Sequence, residues 1–127
     1  MTNSNWLFKR RGYQRLDAWC LAMEGADAIY NLTRRFPVDE RYGLTAQLRR
    51  AAVSVPSNLA EGNERRSRPD RRHFVIQARS SLAEIETQLE VAHRFGYVTT
   101  AEMQPTVDLI DRLGGKTFRL YESLSDG

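Results

Sequence analysis

The chain has 127 residues, 28% charged and 41% hydrophobic, with a formal net charge of +3. That is one domain, long enough to bury a single core without covalent staples, and no apolar run approaches the roughly 20 residues needed to span a bilayer. Cys20 is the sole cysteine, which excludes an internal disulfide framework and fits a reducing compartment. The N-terminal stretch holds Trp6, Leu7 and Phe8 but no extended apolar segment with a cleavage site, so it does not read as a signal peptide. The expected location is the cytoplasm.

In chain order, the first periodic segment places Trp19, Ala22, Ala26, Ile29, Thr33 and Phe36 at helical spacing, ended by Pro37. A second helix is expected to open after Asp39, with Leu44, Leu48, Ala51, Val55 and Leu59 along one side. Pro56 lies inside that pattern and removes a backbone donor, so a kink near Ala52–Pro56, or a split into two pieces, is expected. The third segment, Ser67 to Gly96, is the most regular: Val75, Ala78, Leu82, Ile85, Leu89 and Ala92 alternate spacings of three and four, a heptad seam. Ser67 can cap its start, Pro69 suits the first turn, Asp70 lies three after Ser67, and Gly96 supplies the stop. Such a helix would be about 40 Å long at ~1.5 Å per residue, which suits a bundle. Thr99 with Glu102 then reads as a capping box, followed by Met103, Val107, Ile110, Leu113, Thr117, Leu120 and Leu124. Pro105 and Gly114-Gly115 make this fourth helix the least regular.

No segment alternates with a strand's period. The expected fold is therefore all-α, an antiparallel up-down-up-down four-helix bundle spanning residues 1–127, with residues 1–12 as a flexible arm. In that topology the start of helix 1, the helix 2–3 turn and the end of helix 4 share one end of the bundle.

The run Phe36-Pro37, Tyr42-Gly43-Leu44 and Gln47 through Gly62, together with Ala78 through Leu89, resembles a known family. It is that of the bacterial four-helix bundle proteins encoded by intervening sequences within large-subunit ribosomal RNA genes. Accessory variability-determinant proteins of diversity-generating retroelements are similar relatives. Covering roughly residues 8–124, the resemblance implies a bundle that assembles into a ring, typically a homopentamer, with no enzymatic activity and no cofactor. The retroelement relatives have basic surfaces and bind nucleic acid and a reverse transcriptase.

Several motif residues read as structure and assembly rather than chemistry. Antiparallel pairing of helices 2 and 3 puts Ser54 level with Ser80 and Ser81, Arg50 with Glu84, and Gln47 with Gln88. That makes a polar seam, with small residues allowing close approach beside Pro56. Asn58 is placed to satisfy carbonyls freed by the proline, and buried polar positions of this kind select one register. Arg49 and Arg50 facing Glu84 and Glu86 suggest ion pairs within or between protomers. Glu61 belongs to the same motif and, with Glu64 and Asp70, partly neutralises the arginines beyond it.

Catalytic and metal readings fare poorly. Glu90-x-x-His93 matches half of a di-metal carboxylate motif, but no second unit exists in the sequence. Cys20 sits between Trp19 and Leu21, where a small buried thiol is the common case, and there is no nucleophile elbow, phosphate-binding glycine loop or zinc-spaced Cys/His set. No enzyme, metal or cofactor is expected.

Charge is the better lead. Of the basic residues only Lys9 and Lys116 are lysines, and the positive excess lies in the first two thirds of the chain. Arginine-rich codon usage explains an excess of arginine but not its segregation. Lys9, Arg10, Arg11 and Arg15 form one cluster and Arg65, Arg66, Arg68, Arg71 and Arg72 another, and the topology brings both to the same end. Arginine's planar fork suits phosphate, and such contacts give salt-sensitive, sequence-independent affinity. Trp6, Phe8 and Tyr13 are candidates for stacking on bases. The expected partner is RNA or DNA, together with further copies of the chain; the alternative is a protein scaffold whose basic end docks an acidic protein partner. No membrane partner is expected.

Overall fold

In a computed structural model, which describes residues 6–9 and 11–125, the chain is all-α with no strand among the described residues. Four helices form: α1 Asp17–Thr33, α2 Leu44–Asn63, α3 Arg68–Arg94 and α4 Thr100–Ser123. Short 3-10 turns, Gly12–Arg15 and Val38–Glu40, precede α1 and α2.

Local signals set most boundaries. Ser67 accepts a hydrogen bond from the Asp70 amide at 3.2 Å, capping α3. At its other end Gly96 takes φ +79°, and the Tyr97 amide reaches back to the Ala92 carbonyl at 3.0 Å. Thr99 and Glu102 form the reciprocal capping box of α4 at 3.1 and 2.8 Å. That helix then runs without a break through Pro105 and Gly114-Gly115.

Two boundaries differ from the sequence reading. Helix α1 stops at Thr33, not at Phe36: the Thr33 hydroxyl turns back to the Ile29 carbonyl at 2.7 Å. Phe36 nevertheless stays buried, its ring 5.5 Å from that of Tyr97. Helix α2 opens at Leu44 rather than just after Asp39, because the Glu40 side chain acts as its cap, accepting from the Leu44 amide at 2.9 Å. Gly43 leaves room for this; a Cβ there would lie 2.6 Å from Glu40 Oε1.

Pro56 does not split α2, which is one helix from Leu44 to Asn63. Around the proline, Ser57 Oγ donates to the Val53 carbonyl at 2.8 Å and Asn58 Nδ2 to the Ser54 carbonyl at 2.9 Å. Asn58 therefore reaches back one turn, and not to Ala52, whose carbonyl loses its partner to the proline ring.

The apolar seams meet in one core, in which Ile29, Leu48, Val55, Leu59, Ile85, Leu113 and Thr117 are fully enclosed. Each helix packs on the next and α1 closes against α4, while α1 and α3, and α2 and α4, do not approach. Contacts at two heights run in opposite chain order for each neighbouring pair, Gly12–Asn63 with Thr33–Arg49, Gln47–Gln88 with Ser54–Ser81, Arg72–Leu124 with His93–Thr100, and Asp17–Lys116 with Arg35–Glu102, so every neighbouring pair runs antiparallel. None of the described helices is long and apolar enough to cross a membrane.

Candidate nucleic-acid interface

The bundle brings both arginine-rich segments to one end. Gly12, before α1, lies so near the end of α2 that a Cβ would sit 3.0 Å from Asn63 Nδ2. Arg72, in the second turn of α3, donates to the Leu124 carbonyl just past the end of α4 at 3.0 Å. Lys9, Arg11, Arg15, Arg65, Arg66, Arg68, Arg71 and Arg72 thus surround a single pole; Arg10 lies outside the described residues.

These side chains divide into two groups. Some hold the end together: Arg71 Nε donates to the Arg65 carbonyl at 2.6 Å, closing the α2–α3 turn, and Arg72 ties α3 to α4. Arg65 pairs with Glu61 at 3.0 Å and lies 4.8 Å from the Phe74 ring centroid. Arg11 donates to the Lys9 carbonyl at 3.0 Å and covers Phe8 at 5.4 Å. Arg15, Arg66 and Arg68 are exposed, and their side chains have no partner among the described residues. With Glu61 committed to Arg65, the exposed acids Glu64 and Asp70 do not match the local positive charge. What the pole offers is a set of solvated guanidinium forks on a rigid frame, able to bind phosphate oxygens in pairs.

Two of the three aromatic candidates are occupied otherwise. Trp6 meets Trp19 edge-on at 4.4 Å and Tyr13 lies 5.0 Å from the same ring, so both anchor the segment before α1 against the bundle. Phe8 remains exposed.

The polar seam between α2 and α3 is built by Ser54 and Ser81, their hydroxyls 2.8 Å apart, with Asn58 Nδ2 3.0 Å from Ser54 Oγ. Gln88 Nε2 donates to Gln47 Oε1 at 3.3 Å, while Gln88 Oε1 is buried without a partner among the described residues. Ser80 is not in the seam: one residue along a helix turns by about 100°, which carries it outward to a groove with Ile76, Ala83, Phe118 and Tyr121. Arg49 does not face α3 either; it donates to Thr33 Oγ1 at 2.8 Å and covers the Tyr30 ring at 4.5 Å, bolting α2 to α1. Arg50, Glu84 and Glu86 are exposed and form no ion pair among the described residues.

With that geometry in place, the comparison with known proteins is decisive about kinship. The family model for the 23S rRNA-intervening sequence protein matches residues 14–118. The chain belongs to this family. A similar solved structure is that of a protein with unknown function from the S23 ribosomal protein family of Bacteroides thetaiotaomicron. It is 19% identical, with a TM-score of 0.73 over 82% of this chain and 97% of that one. At that identity the likeness speaks for the fold alone. No curated protein matches the chain.

Elsewhere on this family member, no three His, Cys, Asp or Glu side chains among the described residues gather as metal ligands. His93 Nε2 meets Thr100 Oγ1 at 3.0 Å, bridging α3 to the start of α4. Burial raises the Cys20 thiol pKa, with Asp17 adding to the effect, so the thiolate is disfavoured.

Sequence reasoning missed two features. Arg79 spans α3 and α4, donating to the Gly114 carbonyl and Thr117 Oγ1, each at 3.0 Å, and lying 5.3 Å from the Phe118 ring centroid. The opposite pole, formed by the α1–α2 and α3–α4 links, carries exposed aromatic rings beside arginines. Its only sequence signal was the presence of Tyr42 and Phe95 in links, where no core position calls for them.

Proposed function

We propose that this chain is a non-enzymatic, cytoplasmic assembly protein whose basic pole binds nucleic acid through its phosphates, without sequence preference. One observation carries the reading: two arginine segments far apart in sequence converge on one pole, where Arg15, Arg66 and Arg68 are left without partners among the described residues. Guanidinium forks held this way release counterions from a phosphate backbone, which supplies affinity but little discrimination between sequences.

Assembly into a ring of five copies accompanies this function. The family likeness supports it, as do the exposed apolar groove of Ile76, Ala83, Phe118 and Tyr121 on α3–α4 and the unpaired Arg50 and Glu84, which sit level on neighbouring helices. A ring repeats the basic pole around its axis and so multiplies weak phosphate contacts.

Electrophoretic mobility shift with unrelated RNA and DNA over a salt series tests the nucleic-acid reading. Binding is expected at low salt, with similar strength for different sequences, and Arg15→Glu/Arg66→Glu/Arg68→Glu should weaken it and reduce its salt dependence without altering the helical spectrum. No shift even at low salt refutes it and leaves an acidic protein as the partner of this pole. Native mass spectrometry addresses the ring; a monomer at micromolar concentration would contradict it.

A further inference from the structure

The pole opposite the basic clusters presents large apolar side chains to solvent. Tyr42 is 89% exposed, Val38 78% and Phe95 60%. The two links that carry them are fastened together. The Tyr97 hydroxyl donates to Glu40 Oε2 at 2.6 Å, Arg35 pairs with Glu102 at 2.6 Å, and the Phe95 and Tyr97 rings meet edge-on at 5.7 Å. Singly exposed hydrophobic residues need no explanation. Three at one pole of a small bundle, two of them aromatic, call for one.

The charge around them is positive in balance. Glu40 is used twice, by the Tyr97 hydroxyl and the Leu44 amide, and Glu102 is held by Arg35 and by the Thr99 amide. Arg34, Arg41 and Arg94 are exposed, their side chains without partners among the described residues, and the exposed acids left near them are Asp39 and Glu90, the latter one turn before Arg94, so positive charge is in excess. Flat rings next to unpaired guanidinium groups match a ligand that alternates flat faces with negative charge.

We infer that this pole binds single-stranded nucleic acid, Tyr42 and Phe95 stacking on unpaired bases while Arg34, Arg41 and Arg94 take the adjoining phosphates. The inference rests on the nucleic-acid reading above and adds the strandedness of the ligand. Bases locked in a duplex offer no free face, so only an unpaired strand gains from the rings. The two poles differ accordingly: the arginine-rich pole takes any phosphate backbone, and this one discriminates by strand state.

Fluorescence anisotropy tests this with a labelled pyrimidine strand of about 12 nucleotides, within the usual span of such sites, and with the same strand in a duplex. Wild-type protein should prefer the single strand. Tyr42→Ala/Phe95→Ala should weaken single-strand binding by about tenfold or more while leaving the duplex unchanged; both positions are exposed, so the fold is kept. Tyr42→Phe should bind like wild type and Tyr42→Leu should not, since stacking and not bulk is required. Equal single-strand binding by the double alanine variant overturns the inference. So does loss of binding to phosphatidylserine vesicles in that variant with single-strand binding intact. If duplex and single strand bind equally and the alanine variant changes neither, this inference fails and the basic-pole reading stands. If neither nucleic acid binds at low salt, both fall together.

Discussion

Replacing single glycines by alanine should move stability in opposite directions at positions that look alike in sequence. Gly25, Gly62 and Gly114 all lie inside helices. In a helix interior, alanine is favoured over glycine by about 1 kcal/mol. At Gly114 a Cβ meets nothing within 4 Å, and at Gly25 it makes ordinary contacts of 3.7–3.8 Å with Ile110, Leu109 and Leu113. Both substitutions should therefore stabilise, by about 1 kcal/mol, with Gly25→Ala gaining a little more from the buried methyl. Gly62 is different. A Cβ there would lie 2.8 Å from Phe74 Cβ and 3.4 Å from the Arg71 carbonyl, so α2 and α3 must separate. Overpacking of that kind costs about 1–3 kcal/mol, which outweighs the propensity gain and leaves a net loss of about 1 kcal/mol. Thermal unfolding at fixed protein concentration should separate Gly25→Ala from Gly62→Ala by roughly 6–10 °C. Gly62→Ala as stable as Gly25→Ala would mean that α2 and α3 do not approach as described.

Further outcomes follow from other contacts. Ser81→Ala removes the 2.8 Å bond to Ser54 and should cost about 1 kcal/mol in urea unfolding; no loss would deny the seam a stabilising role. Gln88→Met should be neutral or stabilising, because it removes the buried, unpartnered Gln88 Oε1 and gives up only the exposed 3.3 Å bond to Gln47; a large loss would point to a bond formed elsewhere. Arg50→Glu should weaken assembly in sedimentation velocity and Glu84→Arg should partly restore it; a double variant no better than the single one refutes a link between them. The Glu40 carboxyl is held below its ordinary pKa of 4.5, first by the Tyr97 hydroxyl and then by the Leu44 amide, and Glu102 likewise, first by the Thr99 amide. Carboxyls lowered in the folded state stabilise above that value, and the contribution fades as pH falls through their folded-state pKa. Tyr97→Phe should therefore flatten part of the acid limb of stability against pH, and an unchanged limb would contradict the pairing.

Much of the architecture was legible because its signals are local. Ser67 with Asp70, Thr99 with Glu102, and Gly96 each act within one turn of chain, and each does in the structure what its spacing suggested. The α2–α3 register was also readable, since small and polar residues on two long regular helices can face each other in few ways; Ser54 meets Ser81 and Gln47 meets Gln88. Azimuth was harder to read. Whether Arg49 turns to α1 or α3, or whether Ser80 joins Ser81, depends on rotations set by packing from several helices at once. Tertiary contact also overrode the first reading of the aromatic residues, since Trp6 and Tyr13 find Trp19 before they can find a ligand. At the candidate interface, sequence located the clustered arginines, but separating the bracing Arg71 and Arg72 from the solvated Arg66 and Arg68 needed coordinates.

The most direct test of the nucleic-acid claim is the slope of log binding constant against log salt for one RNA strand, measured in the Tyr42→Ala/Phe95→Ala background, which leaves the basic pole as the strand's site, with and without Arg15→Glu/Arg66→Glu/Arg68→Glu. Each neutralised phosphate on a single strand contributes about −0.7 to that slope. A steep negative slope that flattens by about 2 in the triple variant is the result expected if these arginines sit on phosphates. A slope that the variant leaves unaltered, or binding that ignores salt, would contradict it.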